Sequence, residues 1–281
     1  MKYFDAHTHV QFAAYDEDRE AVFERAREAG VGMNLVGTQK DTSQAALECA
    51  KSREGVWATI GLHPIHTSKS FHDTEELGEE GKAFTSRGEQ FDFDAYEKLA
   101  REPKVVAIGE CGLDYFRLEE GTKKVQREQL VAQIELANAV GKPLMLHIRN
   151  GAKMGEQSGT GDAYQDTLEL LKANTKVLGD VHFFAGSLDI AKQFLDIGFN
   201  LSFTGVITFT HDYDEVIRET PLDRLLAETD APYVAPVPFR GSRNEPIHVR
   251  EVVKKIAEIK GLDPEKAREQ LLLNSQRFFG I

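Results

Sequence analysis

The chain has 281 residues, of which 41% are hydrophobic and 28% charged, and its formal net charge is −12. This composition is typical of a globular protein with enough apolar side chains for a core. The acidic balance argues against broad, nonspecific affinity for nucleic acid, which normally needs a basic surface, although bound cations and a few local arginines would still permit a nucleic-acid enzyme.

Short β-branched or aromatic runs alternate with longer amphipathic stretches along the whole chain. The predicted strands, in chain order, are Tyr3–Asp5, Gly32–Val36, Val56–Ile60, Val105–Ile108, Pro143–Leu146, Val177–Val181, Asn200–Phe203 and Leu225–Ala227. The predicted helices are Asp18–Glu28, Ser43–Lys51, Phe93–Arg101, Val125–Val140, Tyr164–Lys172, Leu188–Ile197, Tyr213–Glu219, Pro246–Lys260 and Pro264–Phe279. Strand alternating with helix about eight times predicts a parallel sheet with helices outside it.

Eight such units favour closure into a TIM-type (β/α)8 barrel, a fold that typically takes about 250 residues as a single domain. We therefore predict one α/β barrel domain over residues 1–281. The alternative is a doubly wound open sheet, but no glycine-rich phosphate loop follows the first strand.

Two stretches interrupt the alternation of strands and helices. Ser68–Phe91 is acidic and follows the third strand, and Asn150–Asp162 is rich in glycine and follows the fifth. Both lie after strand C-termini, the face on which barrel enzymes place their sites. Each is either a lid or substrate-selecting loop, or a tolerated surface insertion.

Residue types that bind metals fall at or just past the C-terminal ends of predicted strands. They are His7, His9, His63, Glu110, His147, His182 and Asp230. Residues scattered over the sequence would therefore meet on one rim of one barrel. A lone histidine at a strand end is usually a hydrogen-bonded core residue, and Asp230 alone could cap the following turn, but chance does not readily place all of these residues on one rim.

The pattern has a chemical rationale. Residues two apart in a strand point the same way, so His7 and His9 both face the barrel mouth. A carboxylate can bridge two cations, and Glu110 falls between the two histidine groups. Imidazole and carboxylate ligands suit Zn²⁺, Mn²⁺ or Fe²⁺, with Mg²⁺ less favoured by several histidines. We expect two divalent ions, with Zn, Mn or Mg as the candidates.

Several motifs resemble those of the TatD family of metal-dependent hydrolases, within the amidohydrolase superfamily. They are Asp5-Ala-His7-Thr-His9, Gly61-Leu-His63-Pro64, Ile108-Gly-Glu110-Cys-Gly-Leu-Asp114-Tyr115, His147-Ile-Arg149, Val181-His182-Phe, Leu201-Ser-Phe-Thr-Gly205, Glu228-Thr-Asp230-Ala-Pro232-Tyr-Val-Ala-Pro236, Arg240-Gly-Ser-Arg-Asn244-Glu-Pro246 and Asn274-Ser-Gln-Arg-Phe278-Phe. The resemblance covers nearly the whole chain. Val10-Gln11 stands where the family usually has Leu-Asp, and Phe183 where it commonly has Cys. Both departures bear on substrate preference and remove no ligand.

The resemblance implies a ligand set and an activity. One metal would be held by His7, His9, Glu110 and Asp230, and the other by Glu110, His147 and His182. The implied activity is phosphodiester hydrolysis, chiefly metal-dependent deoxyribonuclease action. The spacing of the residues by itself predicts only a hydrolytic metal site.

We assign further roles as hypotheses. Asp230 is the expected general base and Glu110 the bridging carboxylate. His63 is either a donor to a phosphate oxygen or to a metal-bound water, or a buttress for the Pro64 turn. The candidate substrate-binding residues are Arg149, Arg240, Arg243 and Tyr115. A guanidinium grips phosphate bidentately and a tyrosine stacks on a base, although surface solvation and rim packing are the alternatives. Glu228 is expected to contact a lysine or a structural water.

The leading interpretation is a deoxyribonuclease acting on the ends or single strands of DNA, or on another phosphodiester. The alternatives are hydrolysis of an amide or carboxyl ester, where relatives often use a carboxylated lysine in place of Glu110, and a barrel retained as a metal-binding scaffold. The start, MKYFDAHTHV, predicts no signal peptide, and no apolar run approaches the ~20 residues that span a bilayer. Two cysteines without a disulfide framework fit a reducing cytoplasm, so we expect a cytoplasmic protein with no membrane association.

Overall fold

A computed structural model describes residues 1–69, 71–72, 84–116, 118, 121–151 and 162–281. Its strands are β1 Tyr3–Thr8, β2 Val31–Val36, β3 Val56–Ile60, β4 Phe71–His72, β5 Phe84–Thr85, β6 Val105–Asp114, β7 Leu144–Arg149, β8 Gly179–Val181, β9 Asn200–Phe203 and β10 Leu225–Ala227. Its α-helices are α1 Arg19–Glu28, α2 Lys40–Lys51, α3 Phe93–Ala100, α4 Thr122–Val140, α5 Ala163–Asn174, α6 Leu188–Asp196, α7 Asp214–Glu219, α8 Val249–Lys260 and α9 Pro264–Phe279. None of the helices described is long and apolar enough to cross a membrane.

Eight parallel strands form the main sheet, in the order β1-β2-β3-β6-β7-β8-β9-β10. The two ends of this sheet meet, because the backbone N–H of His9 donates to Ala231 O (2.7 Å) and that of Asp230 donates to His7 O (2.9 Å). The (β/α)8 barrel prediction is therefore confirmed. The closing hydrogen bonds involve candidate metal ligands, so closure itself sets His7 beside Asp230.

Strand β6 is longer than the sequence predicts, because it continues six residues past the expected end at Ile108. Its added part pairs with β7, which places Gly112 opposite His147. A Cβ atom on Gly112 would overlap the carbonyl oxygen of His147, and the φ of this residue is +148°. Glycine, which usually interrupts a strand, here lets two backbones approach closely.

Apolar side chains fill the space between the strands and the surrounding helices. A smaller cluster lies where the strands begin, and there Phe279 of α9 packs against Phe4 of β1 with ring centroids 5.5 Å apart. This end of the barrel is therefore occupied by packing. The polar residues collect at the other end, where the strands finish.

The two predicted insertions fall mostly outside the described residues, which exclude 73–83 and 152–161. Within the first, β4 and β5 form a two-stranded antiparallel sheet. The following segment is fixed to the barrel rim, because Glu89 N donates to His66 O (2.7 Å) and the Tyr96 hydroxyl donates to the Glu89 carboxylate (2.9 Å).

Candidate metal centre

The six predicted metal ligands gather at the C-terminal end of the barrel. His7, Glu110 and His147 lie on strands, while His9, His182 and Asp230 come just after β1, β8 and β10. All six are buried or nearly so. Parallel strands end on the same rim, which is why residues more than two hundred positions apart meet here.

Glu110 occupies the middle of this cluster. Its Oε2 lies 3.3 Å from His7 Nε2 and 3.9 Å from His9 Nε2. Its Oε1 lies 3.0 Å from His147 Nδ1 and 3.7 Å from His182 Nε2. Each carboxylate oxygen therefore faces a different group of histidines.

Asp230 stands on the His9 side of the cluster. Its Oδ1 lies 3.4 Å from His9 Nε2, 3.8 Å from His7 Nε2 and 4.0 Å from His182 Nε2. Its φ is +54°, in the left-handed region, which aspartate tolerates better than most residues do. The turn is held by the N–H of Tyr233, which donates to Asp230 O at 2.9 Å.

The donor set fits divalent cations. Three groups of side chains have ligand atoms that all lie within 4.8 Å of one another: His7, His9 and Asp230; His7, His182 and Glu228; and His63, Glu110 and His147. The Nε2 atoms of His7 and His9 are only 3.2 Å apart. Nitrogen and carboxylate ligands converging in a buried site are the arrangement that zinc or manganese binds.

The protonation states of His7 and Glu110 suit cation binding. Burial, together with neighbouring His182, lowers the pKa of His7 to about 4, so its imidazole is neutral and free to bind a cation at pH 7. Burial alone would raise the pKa of Glu110, but His63 and His7 hold it well below its usual range. Glu110 is thus an ionised carboxylate facing imidazole nitrogens.

The outer nitrogens of two histidines contact carboxylates that the sequence did not assign to the site. His147 Nε2 lies 2.9 Å from Asp114 Oδ2, and His182 Nδ1 lies 2.9 Å from Glu228 Oε1. Burial opposes protonation, yet these carboxylates and Glu110 raise the pKa of His147 to about 9 and that of His182 to about 10. Such carboxylates typically fix the ring orientation of metal ligands.

Glu228 was expected to contact a lysine or a structural water, and in the structure it contacts the imidazole of His182. It also accepts from the Phe183 N–H (2.8 Å) and the Ser202 hydroxyl (2.8 Å). The sequence feature that could have assigned Glu228 to the site is its position two residues before Asp230. Asp114 belongs to one of the motifs given above. Its contact with His147 depends on the extension of β6, which the sequence did not predict.

Buried hydrogen bonds join β1 to the segment that follows β10, next to the candidate ligands. The carboxylate of Asp5, on β1, accepts from the backbone N–H (2.8 Å) and the hydroxyl (2.5 Å) of Thr229. Asn244 is fully buried, and its amide donates to the carbonyls of Thr229 (2.9 Å) and Tyr233 (2.7 Å). These contacts fix the segment that carries Asp230.

His63 supports the Pro64 turn and also contacts Glu110. Its Nδ1 accepts from the Ile65 N–H at 3.2 Å, which supports the Pro64 turn. Its Nε2 lies 3.2 Å from Glu110 Oε1. The ring is buried, so it joins the cluster at the edge nearest His147.

The four candidate substrate residues are placed very differently. The Arg149 guanidinium lies 3.7 Å from the centroid of the Phe116 ring, two residues beyond His147, and Arg240 lies 4.0 Å from that of Phe209. Arg243 is engaged in a two-pronged ion pair with Asp18 (2.8 and 2.7 Å). Tyr115 is fully buried, and its hydroxyl donates to Asp166 at 2.8 Å.

Comparison with known proteins assigns the chain to a family. The family model described as TatD related DNase matches residues 4–280. The chain belongs to the TatD family. It is a metal-dependent hydrolase of that family, and the resemblance seen in the sequence motifs is confirmed.

Two relatives and one solved structure each cover at least 99% of this TatD-family chain. A Bacillus subtilis protein named "uncharacterized metal-dependent hydrolase YabD" is 36% identical over 283 residues, 99% of each chain. A Klebsiella pneumoniae protein named "3'-5' ssDNA/RNA exonuclease TatD" is 33% identical, over 99% of this chain and 98% of the other. The crystal structure of the Escherichia coli TatD homologue YjjV has a TM-score of 0.79 at 26% identity, covering 100% of this chain and 98% of that one.

Proposed function

We propose that this chain is a two-metal phosphodiesterase that cleaves nucleic acid, most readily at ends or in single strands. The observation that carries the proposal is the position of Glu110, whose two oxygens face two separate groups of histidines at 3.3 and 3.0 Å. A carboxylate in this position is suited to bridge two cations.

The donors divide into two sets that share this carboxylate. One site would use His7, His9, Glu110 and Asp230, and the other Glu110, His147 and His182. Zn²⁺, Mn²⁺ or Mg²⁺ bound there would lower the pKa of a water molecule and offset negative charge on phosphate oxygens. Asp114 and Glu228 would hold the rings of His147 and His182 in place.

Asp230 is the proposed general base. It is the most exposed of the buried carboxylates in the cluster, at 9% against 5% for Asp114, 3% for Glu110 and 0% for Glu228, so it lies nearest the barrel mouth. Hydrogen bonding to His9 and the charge of His182 keep its pKa low despite burial, and its carboxylate is therefore ready to accept a proton from an attacking water. His63 would hold a phosphate oxygen or the attacking water from the opposite edge.

Arg149 and Arg240 are the proposed substrate-binding residues. Arg149 follows His147 on β7 and therefore lies at the mouth beside the metal centre. A guanidinium stacked on an aromatic ring is pre-ordered for a phosphate group. Arg243 and Tyr115 are left out of this assignment, because their polar groups already contact Asp18 and Asp166. The exonuclease name of the Klebsiella relative supports a nucleic-acid substrate.

The proposal is tested with metal-stripped protein to which Mg²⁺, Mn²⁺ or Zn²⁺ is restored. The substrates are bis-p-nitrophenyl phosphate and an end-labelled single-stranded oligonucleotide. We expect metal-dependent cleavage of both, and the product ladder gives the polarity. Two equivalents of bound metal without phosphodiester cleavage would redirect the assignment to an amide or carboxyl ester. Absence of hydrolysis for all three bond types would leave a metal-binding scaffold.

A further inference from the structure

Four exposed residues form an apolar and cationic surface on the same rim as the metal centre. Phe209, Val237 and Phe239 are 42%, 46% and 38% exposed, and Arg240 is exposed beside them. We call these four residues the rim patch. Phe209 and Phe239 are the two aromatic side chains among the large hydrophobic residues found exposed in the described part of the chain.

The rim patch is ordered by two stacked pairs. The Arg240 guanidinium lies 4.0 Å from the Phe209 ring centroid. The Phe239 ring stacks on His248 with centroids 4.0 Å apart and planes 11° from parallel. The two loops are also joined directly, because Val237 N donates to the Thr208 hydroxyl at 2.9 Å. Aromatic surfaces held in this way lose little conformational entropy when they bind a planar group.

The loop that carries three of the four residues begins at Asp230 and returns at Asn244. Its ends are drawn together, since Asn244 N donates to Pro232 O at 3.1 Å. Phe209 lies on the loop after β9, and the two loops touch closely: a Cβ atom on Gly205 would lie 2.5 Å from Val234 O. The rim patch is thus built on the segment that positions the proposed base.

The charge of the rim patch indicates which kind of molecule binds there. Arg240 contacts the Phe209 ring and the Ala235 carbonyl (3.3 Å), and within the described residues it forms no ion pair. Flat exposed rings beside an exposed guanidinium match stacked bases beside phosphate groups.

We propose that the rim patch is a base-stacking site for single-stranded polynucleotide, which binds nucleotides outside the scissile bond while the end of the strand occupies the metal centre. This inference rests on the proposed function. It predicts that affinity rises with strand length, since short substrates fill the centre without reaching the patch. Discrimination among bases is small, because every base offers a stacking face.

The experiment compares the wild type with Phe209→Ala/Phe239→Ala. Binding is measured by fluorescence anisotropy of labelled dT2 and dT12 on metal-stripped protein, so the readout does not require catalysis. We expect the double substitution to weaken dT12 binding about tenfold or more and to leave dT2 unchanged. Phe209→Leu/Phe239→Leu keeps apolar area without a flat ring, and it should weaken dT12 binding nearly as much.

Leu178→Ala is the matched control, because Leu178 is 57% exposed and precedes β8, at the opposite end of the barrel. It should change neither affinity. Equal dT12 affinity in wild type and double variant, with melting temperatures unchanged, would overturn the inference. So would loss of a wild-type dimer in sedimentation, with oligonucleotide binding intact, since the patch would then join copies of the chain. Failure of the proposed function gives a different result: no phosphodiester cleavage by the wild type with any metal.

Discussion

Glu228 Oε1 lies 2.9 Å from His182 Nδ1, and both side chains are buried. The same oxygen accepts from the Phe183 N–H, while Oε2 accepts from the Ser202 hydroxyl. Glu228 is therefore held from two sides and in turn orients the imidazole. The consequence is that Nε2 of His182 is turned toward Glu110 and Asp230, where a cation would bind.

Substituting Glu228 by Gln should weaken metal binding. The amide keeps the size of the side chain but removes the negative charge that supports His182 as a ligand. Loss of such a carboxylate typically costs 10–100-fold in metal affinity. Zinc affinity is measured by competition with a chromophoric chelator, with the exposed Glu215→Gln as control. Unchanged affinity in Glu228→Gln would show that the contact does not tune the ligand.

A second prediction concerns the close approach of β6 and β7. Ala at Gly112 would collide with the His147 carbonyl, so the strands must separate and the histidine must move. We expect a loss of about 3 kcal/mol in the free energy of unfolding, together with weaker metal binding. The measurements are urea denaturation of the metal-free protein and zinc titration.

Gly121→Ala is the control for this substitution. Gly121 also has a positive φ (+85°), but a Cβ atom there meets no atom of the described residues within 4 Å. It should therefore show only the backbone cost of about 1 kcal/mol and retain full metal affinity. Equal losses at the two positions would mean that φ, and not the contact with His147, determines the effect.

The gathering of the candidate ligand residues on one rim was predictable from the sequence because the geometry of a parallel barrel is simple. Once the strands were placed, every residue at a strand C-terminus had to lie on one rim, so His7, Glu110 and Asp230 could be grouped without knowing any distance. For this grouping, the order of the strands mattered more than the exact residues at which each strand ends. An error of six residues in β6 left Glu110 in the site.

The supporting contacts were not predictable in the same way. Which carboxylate meets which imidazole depends on strand register, and a register cannot be derived from alternation alone. The pairing of His147 with Asp114 requires β6 to continue through two glycines. The ion pair of Arg243 could not be predicted either. Its partner Asp18 lies 225 positions away, and the local sequence gives no sign of the contact.

Arg243→Ala should affect stability more than substrate binding. Its guanidinium binds Asp18 and the Ala14 carbonyl (2.7 Å) and lies 4.4 Å from the centroid of the Tyr15 ring. The pair is about one-third exposed, so screening by water limits the loss to about 1 kcal/mol. Unfolding by urea measures this, and KM for an oligonucleotide should stay within twofold. A raised KM without loss of stability would return Arg243 to the substrate site.

The same substitution predicts a pH dependence. Hydrogen bonds from Arg243 lower the pKa of Asp18, so the pair stabilises the folded state fully above the unfolded pKa of about 3.9 and loses this contribution as pH falls through the folded pKa. The difference in unfolding free energy between wild type and Arg243→Ala should therefore be constant near pH 7 and shrink below about pH 4. Arg87→Ala removes a more exposed arginine–aspartate pair and serves as control, with a smaller difference at every pH.

Asp230→Asn tests the assignment of the base. Asparagine keeps the shape of the side chain and one ligand oxygen, so Glu110 and the histidines should still retain metal, but it cannot accept a proton at neutral pH. Turnover should fall by about 10²–10⁴-fold, the range that general base catalysis contributes, with little change in oligonucleotide affinity. Metal content is determined on the same sample, because a variant that has lost its ions would be inactive for another reason. If the metal-loaded variant turned over at a rate near that of the wild type, the proton would have to leave through another group, and His63, 3.2 Å from Glu110 on the opposite edge, would become the residue to substitute next.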